Sequence, residues 1–488
     1  MEIVFDSAAS AEKYQTRIFL VNSLEDASKC GLTDFEQQLL TAKSTKFSSG
    51  FLWVEAVERV SYFVVLKNDC DAEYCETVRK LGCDVFNASK SSQEKEVVIK
   101  NVNCSSCVVY SFLEGFTLSQ YSFGKYSEKL QKKSFEKIVC CGQECGDVAE
   151  LNNILSGVFA TKDLINEPNN ICTAEYFAEQ AVEVLKNTEA QVFVRDKKWI
   201  ENEKMGGLLA VNRGSVLPPR FVHIVWKPAN SNEKPIVLVG KGIVFDAGGL
   251  SLKPNQYMET MKSDMSGAAT VLGTMKIVAT QKLPIHVEAL IPLTDNRPGE
   301  NAMALGDIIT MHNGKTVEIL NADAEGRLIL ADALSYAASL NPQLTIDVAT
   351  LTGAANQAVG EHAAVYFSTA SEQENQKLEK SGFKTWEPLV KFPLWAYYDE
   401  LISSNMADMK NTGGQYGGAI SAAKFLQQYV SYPWIHLDIA GSAYFKTKWS
   451  YKGVGATGFG VRTLYQFLKM LNAYCSMHNL QCTMHNSQ

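Results

Sequence analysis

Histidine is scarce in this sequence, with 7 residues among 488, and long apolar runs are missing. No apolar stretch approaches the roughly 18 residues that a helix needs to cross a bilayer, so no membrane-spanning helix is predicted. The first residues, Met1 to Asp6, show no basic region followed by an apolar stretch, so no secretory signal is predicted. We therefore expect a cytoplasmic protein with reduced thiols and no membrane partner.

A surplus of basic residues is also missing. The chain has 46 Lys and Arg against 53 Asp and Glu, for a formal net charge of −7. Residues 1–150 contain 17 basic and 22 acidic residues, a difference of −5, and the remaining 338 residues contain 29 and 31, a difference of −2. Neither part provides a positive field for phosphate backbones, so nucleic acid is an unfavourable partner.

Cysteine is present but unevenly placed, since nine of the 12 cysteines fall within the first 150 residues. The pair Cys104-x-x-Cys107 and the group at 140, 141 and 145 could suggest zinc. However, no histidine precedes His223, and the second group lacks the paired spacing of a zinc knuckle. We interpret these cysteines as buried structural thiols.

The tail contains a short repeat, Cys475-Ser-Met-His478-Asn followed by Cys482-Thr-Met-His485-Asn. Sulfur and imidazole ligands at a seven-residue repeat could bind a soft metal. A frayed terminus with a chance repeat is the favoured interpretation.

The length predicts two or three domains that each bury a core. Alternating strand and helix patterns predict an α/β fold with two domains: a smaller N-terminal α/β domain and a larger C-terminal catalytic α/β domain, whose central mixed sheet is flanked by helices. We place the N-terminal domain at 1–150, a linker helix and turn at 151–170, and the catalytic domain at 171–488. The helix over 148–166 ends at the turn-rich Asn166-Glu-Pro-Asn-Asn.

The predicted elements of the first part are strands at Arg17–Asn22, Tyr62–Lys67 and Cys107–Phe112, and helices at Asp34–Ala42 and Glu73–Leu81. The predicted strands of the second part are Ile236–Gly240, His286–Leu293, Thr316–Leu320, Leu344–Thr350 and Trp434–Ile439. The predicted helices of the second part are Ser263–Thr280, Gly326–Leu340 and Gly460–Leu471.

Charged residues interrupt the second part where a core would be apolar. They lie in three segments, VGKGIVFDAGGLSLKP from Val239, MKSDMSGAA from Met261, and NADAEGRL from Asn321. The Gly240-Lys241-Gly242 sequence after a strand resembles a phosphate loop, but the full spacing of either nucleotide-binding motif is absent. A nucleotide site is therefore the weaker interpretation.

The four acids of these segments, Asp246, Asp264, Asp323 and Glu325, lie near strand ends, where α/β proteins usually bind ligands. Four carboxylates in one crevice would repel each other unless cations held them. Hard oxygen ligands suit Zn²⁺, Mn²⁺ or Mg²⁺, and two such ions about 3.5–4 Å apart can activate a water for hydrolysis. A single acid could instead be a helix cap or a surface charge.

The segment NADAEGRLILADAL resembles the N-T-D-A-E-G-R-L signature of the leucyl aminopeptidase (cytosol aminopeptidase) family. The two upstream segments resemble that family's metal-binding segments, and the spacings agree: five residues from Lys241 to Asp246, 18 on to Asp264, 59 to Asp323 and two to Glu325. The resemblance is strong over 160–472 and extends to the N-terminal domain only in layout.

The resemblance implies two divalent ions per subunit, Zn²⁺ or Mn²⁺, with Mg²⁺ or Co²⁺ as alternatives. Asp246 and Glu325 would bridge the ions, Asp323 would complete the tighter site, and a neutral Lys241 with Asp264 would complete the exchangeable site.

The family also implies the catalytic residues. Lys253 would polarise the scissile carbonyl, and Arg327 would hold a bicarbonate ion that acts as the base. All seven metal-binding and catalytic positions carry the expected residue, which argues against a catalytically silent structural paralogue.

Exopeptidase specificity follows if the free α-amine of a short peptide binds one metal. The resemblance implies that Leu351 offers its carbonyl to the substrate, and that the side-chain pocket is formed by Met261, Thr350, Gly353, Ala440 and Ala443. For the segment 440–443, simple core packing is the alternative interpretation.

This sequence departs from the family at Ala247, Ala322 and Ala443, which replace the usual Ser, Thr and Met, and in the Asn296–Asp307 segment. Ala247 and Ala322 are not metal ligands, so we expect at most small changes in metal affinity from them. We expect Ala443 to enlarge the side-chain pocket and the 296–307 segment to alter substrate preference, but not the reaction. The resemblance further implies a homohexamer. A second, nucleic-acid-binding role, as in some relatives, is opposed by the acidic charge.

Overall fold

The computed structural model describes residues 1–44, 50–89, 94–127, 134–229, 231 and 233–472. These residues form two compact units. The first consists of Met1–Ser156 together with Thr447–Gly453, and the second consists of Gly157–Lys446 with the described residues from Val454 onward. The tail repeat of Cys, Met and His lies outside the described residues. Among the described helices, none combines the length and apolar character that a membrane crossing requires.

The first unit contains a parallel sheet with one antiparallel edge. Its strands are β1 (Glu2–Phe5), β2 (Thr16–Val21), β3 (Phe51–Ala56), β4 (Arg59–Val65), β5 (Glu96–Asn101) and β6 (Lys137–Gly142). Its helices are α1 (Asp34–Ser44), α2 (Ala72–Ser89), α3 (Ser106–Leu118) and the start of α4 (Val148–Asn166). The strand order is β1-β6-β5-β2-β4-β3, and only β3 runs antiparallel to its neighbour.

The predicted strand at Cys107–Phe112 is wrong, because these residues belong to helix α3. Val108, Val109, Phe112, Leu113 and Phe116 are all fully buried there. A helix buried on most of its surface lacks a polar face, so its apolar run has no 3.6-residue pattern to distinguish it from a buried strand. The predictions for β2, β4, α1 and α4 are confirmed, with shifts of at most a few residues at the ends. Helix α2 is also present, but it extends to Ser89, eight residues beyond its predicted end at Leu81.

The expectation of reduced thiols is wrong for one pair, since Cys70 and Cys107 form a disulfide with Cα atoms 6.1 Å apart. The two residues are 37 positions apart, and the fold brings the turn before α2 to the first turn of α3. No local spacing could indicate this pairing. The other eight described cysteines are buried and form no disulfide among the described residues. Those at 104, 140, 141 and 145 are thus buried thiols, as predicted, and belong to no metal-binding group of the described residues.

The second unit is larger and mixes both strand directions. Its strands are β7 (Gln191–Arg195), β8 (Arg220–Trp226), β9 (Ile236–Gly240), β10 (Gly242–Asp246), β11 (Val287–Asn296), β12 (Ile308–Thr310), β13 (Thr316–Glu318), β14 (Leu344–Ala349), β15 (Ala364–Ser368), β16 (Leu389–Lys391), β17 (Met409–Lys410), β18 (Trp434–Asp438), β19 (Tyr444–Trp449) and β20 (Gly453–Ala456). Its helices are α5 (Ala174–Leu185), α6 (Lys197–Asn202), α7 (Gly206–Asn212), α8 (Asn255–Met258), α9 (Ser266–Thr280), α10 (Gly326–Ala337), α11 (Gly353–Val359), α12 (Glu372–Thr385), α13 (Gly418–Gln427) and α14 (461–472).

The central sheet of this unit has the order β16-β15-β18-β14-β9-β11-β8-β7, with β10 paired to β11. The inner strands β18, β14, β9 and β11 are parallel, whereas β15, β8 and β7 each run antiparallel to a neighbour. These inner strands are buried along their whole length, as expected for a sheet covered on both faces. The predicted α/β class with a central mixed sheet is confirmed.

The strands predicted in this part are all present, but two helix boundaries differ. Helix α9 begins at Ser266 rather than Ser263, because a separate 3₁₀ turn occupies Met261–Ser263. Helix α10 ends at Ala337 and continues as a 3₁₀ turn over Ala338–Leu340. The first of these turns leaves Asp264 between two elements rather than inside a helix.

The segment Thr447–Gly453, which covers the second half of β19, a 3₁₀ turn and the first residue of β20, belongs to the first unit. The hydroxyl of Tyr451 donates a hydrogen bond to Glu76 at 2.9 Å, and the ammonium of Lys80 lies 5.3 Å from the ring of Trp449. Both partners are on α2. The chain therefore returns to its first unit near its end.

Candidate metal and catalytic site

The charged segments converge at the carboxyl ends of the inner strands. Lys241 directly follows β9, Asp246 is the last residue of β10, and Thr350 directly follows β14. Asp264 precedes α9, and Glu325 immediately precedes α10. Because parallel strands end at one edge of a sheet, residues that are more than 100 positions apart meet in one crevice.

Three of the predicted metal ligands form a compact group. Asp246, Asp323 and Glu325 each offer one carboxylate oxygen, and these oxygens all lie within 4.8 Å of one another. Asp246 and Glu325 are buried, and Asp323 is partly buried. Oxygen donors at this spacing can share a cation, so the group fits a hard divalent ion.

Two lysines lie among the acids. The ammonium of Lys241 is 2.8 Å from Asp264 and 3.0 Å from Glu325, and it also donates a hydrogen bond to the carbonyl of Thr350 at 2.9 Å. The ammonium of Lys253 is 2.8 Å from Asp246 and 2.5 Å from Asp323. All five predicted metal-ligating residues and Lys253 are thus brought together.

The charges in the crevice are unbalanced, because four acids face two lysines. Burial raises the pKa of Asp323 to about 7, and the neighbouring charges of Asp246 and Glu325 add to this effect. Burial also raises the pKa of Asp246 and of Asp264. Acids whose ionised forms are this unfavourable would gain from divalent cations, which supports a metal site at this place.

The pKa values of the two lysines are raised, although burial alone would lower them. Burial would lower the pKa of Lys241, but the carboxylates of Asp264, Glu325 and Asp246 raise it above its ordinary value. The pKa of Lys253 is raised in the same way, by Asp246 first. With only protein charges present, both lysines are therefore protonated at neutral pH.

Two glycines are required by the close packing around these side chains. A Cβ atom on Gly326 would lie 2.4 Å from Cε of Lys241, so a larger residue there would displace the lysine side chain from its position among the acids. Gly248 has φ +86°, a left-handed conformation, and this turn lets its N–H donate to Asp246 at 2.8 Å. The glycines therefore shape the backbone around the acids.

Arg327 lies in the first turn of α10, next to the acids. Its side chain is 8% exposed, and its Nε and Nη1 atoms have no hydrogen-bond partner among the described residues. Burial lowers the pKa of Arg327 to about 10, against the opposing charges of Glu325 and Asp438, so it remains charged at neutral pH. Buried guanidinium groups are normally paired, so the free donors of Arg327 fit a small anion.

The predicted substrate-binding residues lie in the loops after β14 and β18. Thr350 donates its hydroxyl to Asp264 at 2.8 Å, which places it beside the acids. The N–H groups of Leu351 and Ala440 both donate to one oxygen of Asp438, at 3.1 and 3.2 Å, which ties the two loops together. Thr352 donates its hydroxyl to the other oxygen of Asp438 at 2.7 Å.

The other three predicted pocket residues differ from one another in burial and in surroundings. Met261 is partly buried, and its carbonyl accepts the N–H of Asp264 at 3.3 Å. Gly353 begins α11, and a Cβ atom there would meet nothing within 4 Å, so it borders open space. Ala443 is 3% exposed, with its N–H and carbonyl bonded to the backbone of Ile439 and Thr457.

Four residues that support the site were not predicted from the sequence: Ser251, Asn296, Asn411 and Asp438. Asn296 donates to Asp246, and Asn411 and Ser251 bind the backbone of the loop that carries Asp323. Asn296, Asn411 and Asp438 are polar residues at or next to a strand end, and Ser251 lies in the loop after β10. A position at a strand end is a usable but weak signal, because many capping residues share it.

The sequence profile of the cytosol aminopeptidase family, catalytic domain, matches residues 159–465, which is more than half of the chain. The chain belongs to this family. It is therefore a metal-dependent aminopeptidase, a hydrolase of the metalloexopeptidase class, and the resemblance found in the three segments is confirmed.

Individual relatives agree with this membership. The probable cytosol aminopeptidase of Chlorobaculum tepidum is 46% identical, over 73% of this chain and 74% of the relative. That of Aquifex aeolicus is 38% identical, over 82% of each chain. The solved structure of the bottromycin maturation enzyme BotP in complex with Mn is 28% identical, with a TM-score of 0.83 over 94% of this chain and 99% of that chain.

Proposed function

We propose that this enzyme releases the N-terminal residue, leucine or a similar one, from short peptides by hydrolysis with two divalent metal ions per subunit. The observation that carries the proposal is the buried crevice of four acids and two lysines in a member of an aminopeptidase family. Every residue that the family resemblance assigns to metals or catalysis lies in or beside this crevice. A catalytically silent relative would be expected to have lost at least one of them.

The ions would be held by the five residues assigned above, Lys241, Asp246, Asp264, Asp323 and Glu325. Asp246 and Glu325 would hold both ions, since their oxygens belong to the same compact group as Asp323. Lys241 and Asp264, which contact each other at 2.8 Å, would hold the more exchangeable ion. When bound, Zn²⁺ or Mn²⁺, with Mg²⁺ or Co²⁺ as alternatives, would supply an activated water and a Lewis acid.

Lys253 would polarise the scissile carbonyl. Its ammonium lies at the rim of the acid group, with its side chain 15% exposed, compared with 3% for Lys241. A cation at that position can stabilise the negative charge that develops on the carbonyl oxygen during attack. Its contacts with Asp246 and Asp323 position it for this role.

Arg327 would hold a bicarbonate ion as the proton acceptor. Its Nε and Nη1 atoms, which have no hydrogen-bond partner among the described residues, leave N–H donors that an anion could accept. The four acids of the crevice are assigned to the metals in this proposal, so none of them serves as the base. Bicarbonate would supply a base of moderate strength at neutral pH.

Substrate selection would use the two loops that Asp438 joins. Thr350, Gly353, Ala440, Ala443 and Met261 would form the pocket for the first side chain, and Leu351 would accept the substrate's amide N–H through its carbonyl. The open space beside Gly353 supports this placement. A free α-amine at the metals would restrict cleavage to the first peptide bond.

The assembly and the location are proposed from the family. We expect a homohexamer, which light scattering would test against the 53.8 kDa of one chain. The relatives' name, cytosol aminopeptidase, supports a cytoplasmic location, which fractionation of the source cells would test. The net charge of −7 opposes a second role in nucleic-acid binding, which a gel-shift assay would test.

The specific test of the proposed reaction compares leucyl-aminomethylcoumarin with its N-acetylated form in the presence of Mn²⁺. The free amine should be required, so the first substrate is cleaved and the second is cleaved at least about 10²-fold more slowly. Leucyl-leucine and a longer peptide serve as further substrates. Equal cleavage of the acetylated compound would refute the exopeptidase proposal.

A further inference from the structure

Asn296 is the last residue of β11 and lies directly beside Asp246. The two residues are paired in the register of β10 and β11, and the carbonyl of Asn296 accepts the N–H of Ala247 at 2.9 Å. The residue is 3% exposed. Its side chain is therefore held in place by its own backbone pairing.

The amide nitrogen of Asn296 makes two hydrogen bonds to different segments. It donates to Oδ1 of Asp246 at 2.9 Å and to the carbonyl of Ala322 at 3.0 Å. Both partners can only accept, so the nitrogen rather than the oxygen must face them. The amide oxygen lies on the side of Gly249, where a Cβ atom would come within 2.7 Å of it.

The Ala322 carbonyl belongs to the loop that leads to Asp323 and Glu325. Other side chains fix the same loop: Ser251 accepts the N–H of Ala322 at 3.0 Å, and Asn411 donates to the carbonyl of Asn321 at 2.7 Å. Asn296 is a neutral side chain that connects this loop directly to Asp246. Lys253 makes a second connection, a charged one, because its ammonium contacts both Asp246 and Asp323.

A neutral donor has a particular advantage at this place. Oδ1 of Asp246 accepts from Gly248 and from Asn296, which fixes the carboxylate and leaves Oδ2 directed at Lys253. A cationic donor in place of Asn296 would add a further charge that competes with divalent ions. A neutral amide orients the acid without that competition.

We propose that Asn296 is a positioning residue for the metal-binding acids, since its single amide group joins Asp246 to the loop that carries Asp323 and Glu325. The spacing of these carboxylates, within 4.8 Å, would then depend on Asn296. This inference rests on the proposed function, because it takes these acids as metal ligands.

The test measures the Mn²⁺ affinity of metal-free protein by titration calorimetry, together with the melting temperature. Asn296→Leu removes both hydrogen bonds at similar size, and Asn296→Ala removes them and leaves room for water. Asn212→Leu is the matched control, because the amide of Asn212 also donates two buried hydrogen bonds, at 2.8 Å to Leu217 and at 3.0 Å to Thr294, away from the acids.

Both Asn296 variants should lose at least about 10-fold in Mn²⁺ affinity, the range found for partners of metal ligands, and Asn212→Leu should keep the wild-type affinity despite a lowered melting temperature. A folded Asn296 variant that binds Mn²⁺ within about twofold of wild type would overturn this inference and leave the proposed function intact. Wild-type protein that binds no Mn²⁺ would overturn both.

Discussion

Lys253 would have two opposing effects in the crevice, because it competes with the metal ions and also supplies the cation for catalysis. Lys253 contacts Asp246 and Asp323, so it neutralises the same carboxylates that would hold the ions. A divalent ion must therefore compete with this lysine for both acids. The same charge, displaced only slightly, is the group that would polarise the substrate carbonyl.

Replacing Lys253 by methionine should separate these effects. Turnover of leucyl-aminomethylcoumarin should fall by about 10²-fold or more, because the developing oxyanion loses its cation. Mn²⁺ affinity should stay the same or increase, because a competing charge is removed. Lys186→Met, on the exposed end of α5 where Lys186 pairs with Glu183, is the control and should change neither quantity. Near-normal turnover in Lys253→Met would refute the catalytic role.

The sequence predicted the charged residues of the crevice and missed the polar residues that support the crevice and its loops. The acids and lysines could be found because each interrupts a pattern that is otherwise apolar. Asn296 and Asp438 end strands, where polar residues are ordinary, so their contacts with Asp246 and with the loops of Leu351 and Ala440 needed three-dimensional structure. The partners of Asn296 lie up to 50 residues away in sequence.

In the second unit, the acidic residues of the crevice lie close to the positively charged start of helix α10. The parallel strands bring the acids to their carboxyl edge, and α10 begins beside them with Arg327 in its first turn. The start of a helix carries partial positive charge, which adds to that of the buried guanidinium. An anion next to a cation-binding crevice is therefore electrostatically favoured at this helix end.

Turnover should respond to bicarbonate through Arg327. In buffer freed of carbon dioxide, added bicarbonate should raise the wild-type rate, whereas Arg327→Met should be slower by about 10²-fold, the contribution of a general base, and insensitive to bicarbonate. Arg213→Met is the control, since Arg213 is an exposed partner of Asp307. An Arg327→Met enzyme that still responds to bicarbonate would contradict the assignment.

The prediction of secondary structure fails where a helix is buried on most of its surface, because such a helix lacks the polar face that a 3.6-residue pattern requires. Helix α3 is apolar around most of its circumference and was mistaken for a strand, whereas α2 has an exposed face and was predicted. The predicted start of α9 at Ser263 includes the last residue of the 3₁₀ turn, because no proline or glycine separates the two elements. These differences do not affect the predicted site, whose residues were assigned from the motifs and the family resemblance rather than from secondary structure.

At the scale of the whole molecule, the chain forms two units, and the segment Thr447–Gly453 returns to the first one. The domains predicted from the sequence are consecutive in the chain, and such a division cannot assign a late segment to the first domain. The contacts of Tyr451 and Trp449 with α2 are made by ordinary polar and aromatic residues, so composition gave no indication of them. The family resemblance, in contrast, extended across the catalytic unit because its motifs are long.

Metal removal and restoration test the central claim most directly. Protein freed of metal by a chelator and confirmed to be folded should not cleave leucyl-aminomethylcoumarin, because no ion is then present to activate a water for attack. Adding Mn²⁺, Zn²⁺ or Co²⁺ should restore activity as about two ions bind per subunit, measured by elemental analysis. Full turnover by the folded, metal-free protein would contradict the account.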